Sequence, residues 1–417
     1  MKEEIIAGLD IGSNEIRLAV AQRSGRDKDS PLQVIGAVSS TTRGFNKGMV
    51  NSIEDTTASI SACIEKAERL VGLPINNVWV SVNDPHTRCE RSKGVVAVGK
   101  SDGEINDEDI YRAIEAAKSV AIPANYEILH VIPIKFAVDN QEDVKDPVGM
   151  SGIRLEVETL IILGLSSQMK NLNKAIHRTG LDIEGIALSS LAASEVLLSK
   201  KQKDLGSAVI NIGATTTNIA VYEEGELLHA AILPIGSEHI TSDIAIGLRC
   251  PINLAERIKN EYGSSEPEKI SKKEEIDLEQ LAKEEEINDD LASVSKKYVA
   301  EIIDARVEEI FEKIDKELNK IERSGMLPAG VFLTGAGSEL DGLVESAKRY
   351  LRLPAAMATN RGLATVIDKA NNPQYSTAIG LIAWGNVYEG KGDDGAFKKQ
   401  IEEILDKVKG WFKKILP

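Results

Sequence analysis

Two stretches of the chain alternate apolar and polar residues on either side of a glycine. Residues 8–20 read GLDIGSNEIRLAV and residues 209–221 read VINIGATTTNIAV, and a constant offset of 201 places Gly12 over Gly213. Alternation with period two is typical of β-strands, and a glycine between two such runs permits a tight turn. The repeat therefore predicts two β-hairpins, and two similar hairpins predict two similar lobes.

Between the hairpins, the spacing of apolar residues changes to three and four. Residues 56–71 predict a helix. Residues 83–163 then interrupt the α/β pattern with alternating strands and a helix at 107–120, for which Asn106 is the expected N-cap. We expect an inserted subdomain at 83–163. Two further helices are expected before the second hairpin, at 168–179 and 188–199.

The part of the chain after the second hairpin is more polar. Residues 263–293 are rich in Glu and Lys, and this composition favours a solvated excursion or mobile loop. Residues 294–321 predict a long amphipathic helix. Residues 329–337, AGVFLTGAG, predict an apolar strand that meets a glycine turn, with a helix following from Ser338.

Composition and charge narrow the choice of partners. The length of 417 residues favours more than one lobe, and a hydrophobic content of 42% is typical of a folded protein. The formal net charge is −15. Because a negative surface repels phosphate backbones, we expect no nucleic acid partner. Three cysteines favour a reducing compartment. The acidic N-terminus lacks the basic region of a signal peptide, and no apolar run has the length of a spanning helix.

The glycine turns also suggest a chemistry. Backbone N–H groups of such turns can approach phosphate oxygens, because no side chain blocks them. Asp10 precedes the first turn and would lie near a magnesium ion, a hard cation that prefers oxygen ligands. The segment 335–339, GAGSE, is a third turn of this kind. One glycine turn is usually only structural, but three in this order favour a clamp around a nucleotide.

These motifs resemble those of the actin and heat-shock ATPase superfamily. GLDIGSNEIRLAV is similar to its first phosphate loop, VINIGATTTNIAVY to its second, and VFLTGAGSELDGL to its adenosine loop. AERIKNEYG at 255–263 resembles the segment that holds ribose and base. The resemblance implies a duplicated ribonuclease-H-type α/β fold with two lobes around bound ATP or ADP and Mg²⁺, in which Asp10 holds the metal through water. The implied nucleotide-binding residues are Asp10, Gly12, Ser13, Asn14, Asn211, Gly213, Ala214, Thr215, Thr216, Gly236, Glu256, Lys259, Gly335, Ala336, Gly337 and Ser338.

Within the superfamily, the closer resemblance is to the FtsA family. Residues 130–155 are similar to the subdomain called 1C that is distinctive of this family, and residues 295–311 and 374–385 resemble its second-lobe helix and its closing segment. The resemblance implies subdomain 1A at 1–82, 164–190 and 358–388, 1C at 83–163, 2A at 191–240 and 325–357, 2B at 241–324, a linker at 389–395 and a terminal helix at 396–417.

Two positions of the second phosphate loop depart from the superfamily pattern. Asn211 and Asn218 stand where much of the superfamily has aspartates, and Ala214 replaces a glycine. Because neutral amides have replaced acceptor-only carboxylates, we expect slow or absent ATP hydrolysis with nucleotide binding retained. Ser194 and Glu195 lie where the superfamily places its water-orienting residue, and the sequence assigns the role to neither.

The last 22 residues have an apolar face and a basic face. Apolar residues recur at three- and four-residue spacing, and six lysines accompany three acids in a chain of net charge −15. This pattern fits a helix on anionic lipid as well as one docked on protein, and the linker, the terminal position and FtsA's membrane-targeting helix favour lipid. The expected membrane-facing residues are Phe397, Ile401, Leu405, Val408, Trp411, Phe412 and Ile415.

The resemblance also implies partners and a location. The C-terminal tail of the tubulin-like protein FtsZ would bind the second lobe, with Lys296, Lys297, Arg306 and Glu309 as candidates, although charged residues on an exposed helix need no partner. Filaments of the protein itself are expected, on the inner face of the cell membrane at the division site. A sugar or acetate kinase, a chaperone ATPase and a type IV pilus actin-like protein are the alternatives with the same fold.

Overall fold

The computed structural model describes residues 5–25, 30–99, 102–119, 122–285, 292–365 and 367–388. The linker and the amphipathic helix expected at 389–417 lie outside the described residues. Across the described ranges, none of the helices combines the length and the hydrophobicity needed to cross a bilayer.

The first hairpin opens the first lobe, as the alternation predicts. Ile5–Ile11 pairs antiparallel with Glu15–Arg23. The helix begins at Ile53 behind an N-cap at Ser52 and ends at Gly72, whose φ of 71° suits glycine. The elements are β1 (Ile5–Ile11), β2 (Glu15–Arg23), β3 (Leu32–Thr41), β4 (Phe45–Asn46), β5 (Met49–Val50), α1 (Ile53–Val71) and β6 (Asn77–Val82).

A second, smaller sheet follows with its own hydrophobic core. Its strands stand in the order 88–97, 154–165, 126–138 and 141–144, and a helix packs on one face through Ile110 and Ile114. Asn106 caps this helix, since its side chain accepts a hydrogen bond from the N–H of Asp109, as expected. The elements are β7 (Arg88–Ala97), α2 (Asp107–Lys118), β8 (Tyr126–Val138), β9 (Gln141–Val144) and β10 (Arg154–Leu165).

The chain then returns to the first sheet and builds the second hairpin. The two helices predicted here are present within two residues of their expected bounds. The hairpin at 207–223 is antiparallel, and its strands are buried along almost their whole length. The elements are α3 (Ser166–His177), β11 (Asp182–Leu188), α4 (Ser189–Leu197), α5 (Lys200–Leu205), β12 (Ser207–Ile212), β13 (Thr217–Glu223) and β14 (Glu226–Leu233).

The structure contradicts the prediction of a solvated or mobile loop for the charged segment. Its described parts, 263–285 and 292–293, are not a solvated loop, because they carry a short helix and a short strand and bury Ile276, Leu278 and Leu281 in the second-lobe core. The long helix after it is confirmed. The elements are α6 (Ser237–Leu248), α7 (Ile252–Tyr262), β15 (Glu275–Ile276), α8 (Leu278–Glu284), β16 (Val294–Ser295) and α9 (Lys296–Lys320).

The last described part adds strands to both sheets and a buried helix to the first. After the glycine turn, a short 3-10 helix runs from Ala336 to Glu339, and the α-helix begins only at Leu343, because Gly342 takes a left-handed φ of 78°. The elements are β17 (Gly330–Thr334), α10 (Leu343–Leu351), β18 (Ala355–Met357), β19 (Ala364–Thr365) and α11 (Ser376–Tyr388).

The two large sheets have one topology. The first contains β3-β2-β1-β6-β11 and the second β14-β13-β12-β17-β18, each an antiparallel meander of three strands followed by two parallel strands. The first sheet has β19 as an additional edge strand. The repeat at an offset of 201 therefore marks a duplicated α/β unit, as predicted. The subdomain boundaries themselves stay predictions.

Candidate functional site

The two hairpin turns have the same backbone geometry. The N–H of Gly12 donates to the carbonyl of Glu15 over 3.1 Å, and the N–H of Gly213 donates to the carbonyl of Thr216 over 2.8 Å. A Cβ on Gly12 would lie 2.7 Å from a backbone oxygen of its own turn, so the turn requires glycine there. The turns face each other closely enough for the Ser13 and Thr215 hydroxyls to form a 2.6 Å hydrogen bond between the lobes.

The third turn lies beside the second hairpin. Strands β12 and β17 are parallel neighbours, so their carboxyl ends meet at the same sheet edge. Gly335 has a φ of 89°, and a Cβ there would lie 2.3 Å from Oδ1 of Asn211. Only glycine lets this turn approach the hairpin so closely.

An ion pair on α7 forms another wall. The Lys259 ammonium donates to Glu256 Oε2 over 2.6 Å and to Thr241 Oγ1 over 2.8 Å, and Thr241 also donates to Glu256. The Lys259 side chain is 9% exposed and that of Glu256 41%. Although desolvation raises the pKa of Glu256, the hydrogen bonds from Lys259 and Thr241 bring it below its ordinary value. One carboxylate oxygen is thus bound to Lys259 and Thr241, while the side chain remains partly open to solvent.

These elements enclose a cavity of about 730 Å³ between the lobes. Most of the residues expected to bind nucleotide line it: Asp10, Gly12, Ser13, Asn14, Asn211, Gly213, Ala214, Thr215, Thr216, Glu256, Lys259, Gly335, Ala336 and Gly337.

Two of the expected binding residues lie behind the cavity wall. A Cβ on Gly236 would lie 2.5 Å from the carbonyl oxygen of Gly213, so this glycine supports the second turn from outside. Ser338 is buried, and its hydroxyl donates to the carbonyl of Gly335 over 2.6 Å. Both positions therefore shape the turns, and neither lines the cavity.

The floor of the cavity combines a buried carboxylate with amides. Desolvation raises the pKa of Asp10, against the lowering effects of a 2.6 Å hydrogen bond from Ser81 and of the nearby Arg17 charge. The Asn211 amide donates to Thr377 Oγ1 over 3.0 Å, which joins the second lobe to α11. Oδ1 of Asn218 is buried and receives no hydrogen bond from the described residues.

Three lining residues that the sequence did not suggest form a polar chain across the cleft. Arg17 donates to Gln374 Oε1 over 3.0 Å, and Gln374 donates to Glu339 Oε2 over 2.8 Å. Arg17 also pairs with Glu15 at 2.7 Å. Glu15 and Arg17 are two residues apart on β2, so they share one face of the strand. Their position beside the first turn was a signal from which sequence reasoning could have placed them at the site. Gln374 carried none, because 357 residues separate it from Arg17.

Neither candidate for orienting a water molecule reaches the cavity. The Ser194 hydroxyl is buried and donates to the carbonyl of Ser190 over 2.6 Å. Glu195 pairs with Lys203 at 3.0 Å. Neither residue lines the cavity.

The four residues suggested for a protein partner do not share one surface. Lys296 lines the cavity and lies 3.7 Å from Glu274. Lys297 lies 3.7 Å from Glu268. At 3.6 residues per turn, Arg306 and Glu309 share a different face of α9. Arg306 contacts both carboxylate oxygens of Asp243, at 2.5 and 2.8 Å, and also contacts Glu309.

Solved structures with similar folds define the class. A chain of the PilM–PilN type IV pilus biogenesis complex matches with a TM-score of 0.65 at 15% identity, covering 91% of this chain and 98% of that one. MreB5 of Spiroplasma citri bound to ADP matches with a TM-score of 0.53 at 11% identity, covering 93% and 99%. With its duplicated sheets and interlobe cavity, this chain therefore has the actin-like ATPase fold.

Sequence comparison identifies the family. The family described as "Cell division protein FtsA" matches residues 208–380, and "SHS2 domain inserted in FTSA" matches residues 85–163. The cell division protein FtsA of Pseudomonas aeruginosa is 34% identical over 92% of this chain and 89% of its own length, and that of Borreliella burgdorferi is 34% identical over 99% of both. The FtsA of Escherichia coli K12 is 29% identical over 99% and 96%. The chain belongs to the FtsA family of cell division proteins.

Proposed function

We propose that this chain is an ATP-binding, actin-like scaffold of cell division that is tethered to the inner face of the cytoplasmic membrane and binds the tail of FtsZ. The observation that carries the nucleotide part is the cavity of about 730 Å³ lined by both hairpin turns. This volume lies within the range of small-molecule and cofactor sites. Glycine turns that face each other from two lobes present backbone N–H groups to an anion.

The lining residues fit one orientation of a bound nucleotide in the cavity. The turns at Gly12 and Gly213, with Arg17 beside them, would hold the phosphates. Glu256 would accept hydrogen bonds from ribose hydroxyls, because its carboxylate is 41% exposed at the cavity wall. The third turn, at Gly335, would face the nucleoside.

The carboxyl group of Asp10 fits a magnesium ion bound with the nucleotide. Burial raises its pKa, so a nearby cation would offset the cost of the buried charge. In the described parts of the chain, no three His, Cys, Asp or Glu side chains are grouped as metal ligands. Phosphate oxygens and water would therefore supply most ligands, and the ion would neutralise phosphate charge.

Hydrolysis of the bound nucleotide is slow or absent in this proposal. Neutral amides at Asn211 and Asn218 cannot take a proton from an attacking water. Asn211 is moreover engaged with Thr377. Phosphate release from the purified protein should stay far below one per second. Turnover near one per second that Asp10→Ala abolishes would defeat this part.

Membrane attachment rests on the sequence of 396–417. Its lysines reverse the charge of the rest of the chain, and Trp411 and Phe412 are the aromatic residues expected at a lipid interface. The linker at 389–395 would let the helix lie on lipid while the lobes remain free to bind nucleotide and partner.

The partner site is proposed on the face of α9 that carries Arg306 and Glu309. Two exposed apolar side chains are candidates for the same site, Tyr298 on α9 and Ile246 at the end of the neighbouring α6, which are 45% and 76% exposed. Gly247 packs against α9 near Ile302 and Tyr298. A peptide with both acidic and apolar residues suits such a surface.

Liposome pelleting tests anchor, nucleotide and partner together. The full chain is mixed with anionic or neutral vesicles, with and without ATP and Mg²⁺, and with labelled FtsZ tail peptide. We expect the chain to pellet with anionic vesicles, and deletion of 396–417 should abolish this. The peptide should pellet with the wild type and be lost with Arg306→Glu. Unchanged pelleting of the truncated chain would rule out the anchor, and unchanged peptide binding by Arg306→Glu would rule out the partner site.

Self-assembly is the last part of the proposal. The actin-like fold and family membership support filaments, which electron microscopy of the full chain on anionic lipid with ATP would detect. Self-assembly would be contradicted if electron microscopy showed only single particles at protein concentrations where the vesicles are fully coated.

A further inference from the structure

The start of helix α9 is held in place by the charged segment before it. Strand β16 pairs with β15, so that Ser295 lies opposite Glu275. The N–H of Lys296 donates to the carbonyl of Glu274 over 2.9 Å. Because Ile276 is buried in the second-lobe core, this short ladder is anchored to the body of the lobe. The first residue of α9 therefore has a defined position.

That position is on the cavity wall, because Lys296 itself lines the cavity. Other second-lobe residues that line the cavity come from the end of α7 and the segment after it, and they include Asn260, Tyr262 and Ser264. Ser264 bridges to Asp341, which continues the wall towards the third turn. The phosphate-facing turns at Gly12 and Gly213 belong to the hairpins of the two sheets. Lys296, which is bound to the segment after Ser264, therefore lies on the second-lobe side of the cavity with α7 and the third turn, the side that the proposed function gives to the nucleoside.

The two lysines on this wall differ in how firmly they are held. Lys259 makes two hydrogen bonds, of 2.6 and 2.8 Å, and is 9% exposed. The Lys296 ammonium lies 3.7 Å from Glu274 and its side chain is 32% exposed. A pair at this distance and exposure contributes little stability, so the ammonium can turn to a ligand at small cost.

We propose that Lys296 is a base-contacting residue of the nucleotide site, which donates from its ammonium to the purine ring of bound ATP. This inference rests on the proposed function. Purine ring nitrogens are hydrogen-bond acceptors, and the ring face also attracts a cation. A contact to the base strengthens binding of the nucleoside part and leaves the phosphate part unchanged. Lys296 therefore helps the cavity to distinguish a purine nucleotide from other polyphosphates.

Calorimetric titration of the full chain with ATP and, separately, with inorganic triphosphate tests the assignment. Lys296→Ala should weaken ATP binding roughly tenfold, as expected for one charge-assisted hydrogen bond, and should leave triphosphate binding unchanged. The matched control is Lys313→Ala. Lys313 lies on the same helix, outside the cavity, 3.4 Å from Glu309 and 41% exposed. This control should bind both ligands as the wild type does.

The outcomes separate the inference from the function on which it rests. A wild type that does not bind ATP overturns the proposed function and this inference with it. A wild type that binds ATP, together with Lys296→Ala of equal affinity, overturns the inference alone. Equal losses of ATP and triphosphate binding would move Lys296 to the phosphates and also overturn it. Thermal unfolding of both variants at the wild-type temperature shows that the lobe is intact.

Discussion

The ion pair between Glu256 and Lys259 should respond unequally to the loss of either partner. The Lys259 side chain is 9% exposed and that of Glu256 41%, although the two lie only 2.6 Å apart. Glu256→Gln removes one charge and leaves a buried ammonium. Lys259→Met removes the other and leaves a carboxylate that water can reach. Both replacements keep the approximate shape of the side chain, so packing changes little.

The magnitudes follow from these exposures. Breaking a fully buried pair costs about 3–5 kcal/mol, because the remaining charge is unsolvated. In Glu256→Gln, Lys259 keeps its 2.8 Å bond to Thr241 and can still donate to the oxygen of the new amide, so we expect a cost of about 2 kcal/mol. For Lys259→Met we expect at most about 1 kcal/mol, since hydration compensates the exposed carboxylate.

Hydrogen exchange of the α7 peptide, residues 252–263, is the suitable assay. The tryptophans within the described residues, Trp79 and Trp384, belong to the first-lobe core, so their fluorescence would not report on α7. An opening free energy lower by about 2 kcal/mol speeds exchange about 30-fold, and one lower by about 1 kcal/mol speeds it about fivefold. Exchange in helix α1 serves as the internal reference.

The matched control is an exposed pair on α8. Lys283 and Glu279 lie 2.6 Å apart, but their side chains are 72% and 63% exposed. Lys283→Met should therefore change hydrogen exchange of the α8 peptide by less than about twofold. Exchange that is equally fast in Glu256→Gln and Lys259→Met, or faster in Lys259→Met, would refute the argument from exposure.

Three further predictions concern stability. Burial raises the pKa of Asp10 above its ordinary 3.8, so the wild type loses stability as the pH rises from 3.8 through the raised pKa. Asp10→Asn should remove this loss. At pH 7 without nucleotide, this variant should therefore melt no lower than the wild type. Gly335→Ala should cost about 2–4 kcal/mol by denaturant titration, because strain at φ 89° adds to the clash with Asn211, whereas Gly72→Ala, with φ 71° and open space, should cost about 1 kcal/mol. Burial lowers the pKa of His130 to about 4, so the stability of the wild type should fall as the pH drops from 6.5 towards 4. In melting scans over that range, the melting temperature of His130→Phe should fall less than that of the wild type. Equal slopes of melting temperature against pH would contradict this prediction.

The parts of the site that the sequence predicts are those built by local backbone rules. Gly12 and Gly213 lie in tight turns because alternating strands leave the chain no other way to reverse there. Glu256 and Lys259 are three residues apart on one helix, so they lie on the same face and can pair there. The hairpins required no knowledge of how the lobes pack, whereas the nucleotide role of Glu256 and Lys259 is what the resemblance implies.

The residues that sequence reasoning missed depend on how distant segments pack. Thr377 on α11 and Gln374 just before it reach the cavity because α11 packs against β1, more than 360 positions earlier in the chain. The resemblance makes Lys296 a candidate for a partner surface, and the sequence does not tell that the first residue of this helix lines the cavity. The resemblance to the superfamily makes Ser194 and Glu195 candidates for orienting water, but the path of α4 directs them to Ser190 and Lys203 instead. Such positions require the three-dimensional arrangement.

The charged segment shows why average composition was a poor guide there. Ile276, Leu278 and Leu281 are each at most 4% exposed. Fully burying such a side chain contributes about 1.5–3 kcal/mol, which is comparable to the cost of ordering one or two residues, so three anchors can order a short stretch when its polar groups are also paired. Arg257 supplies such pairing, with contacts of 2.5 Å to Glu284 and 3.3 Å to Glu285. A few apolar positions among many charges therefore hold the segment that fixes the start of α9 at the cavity wall.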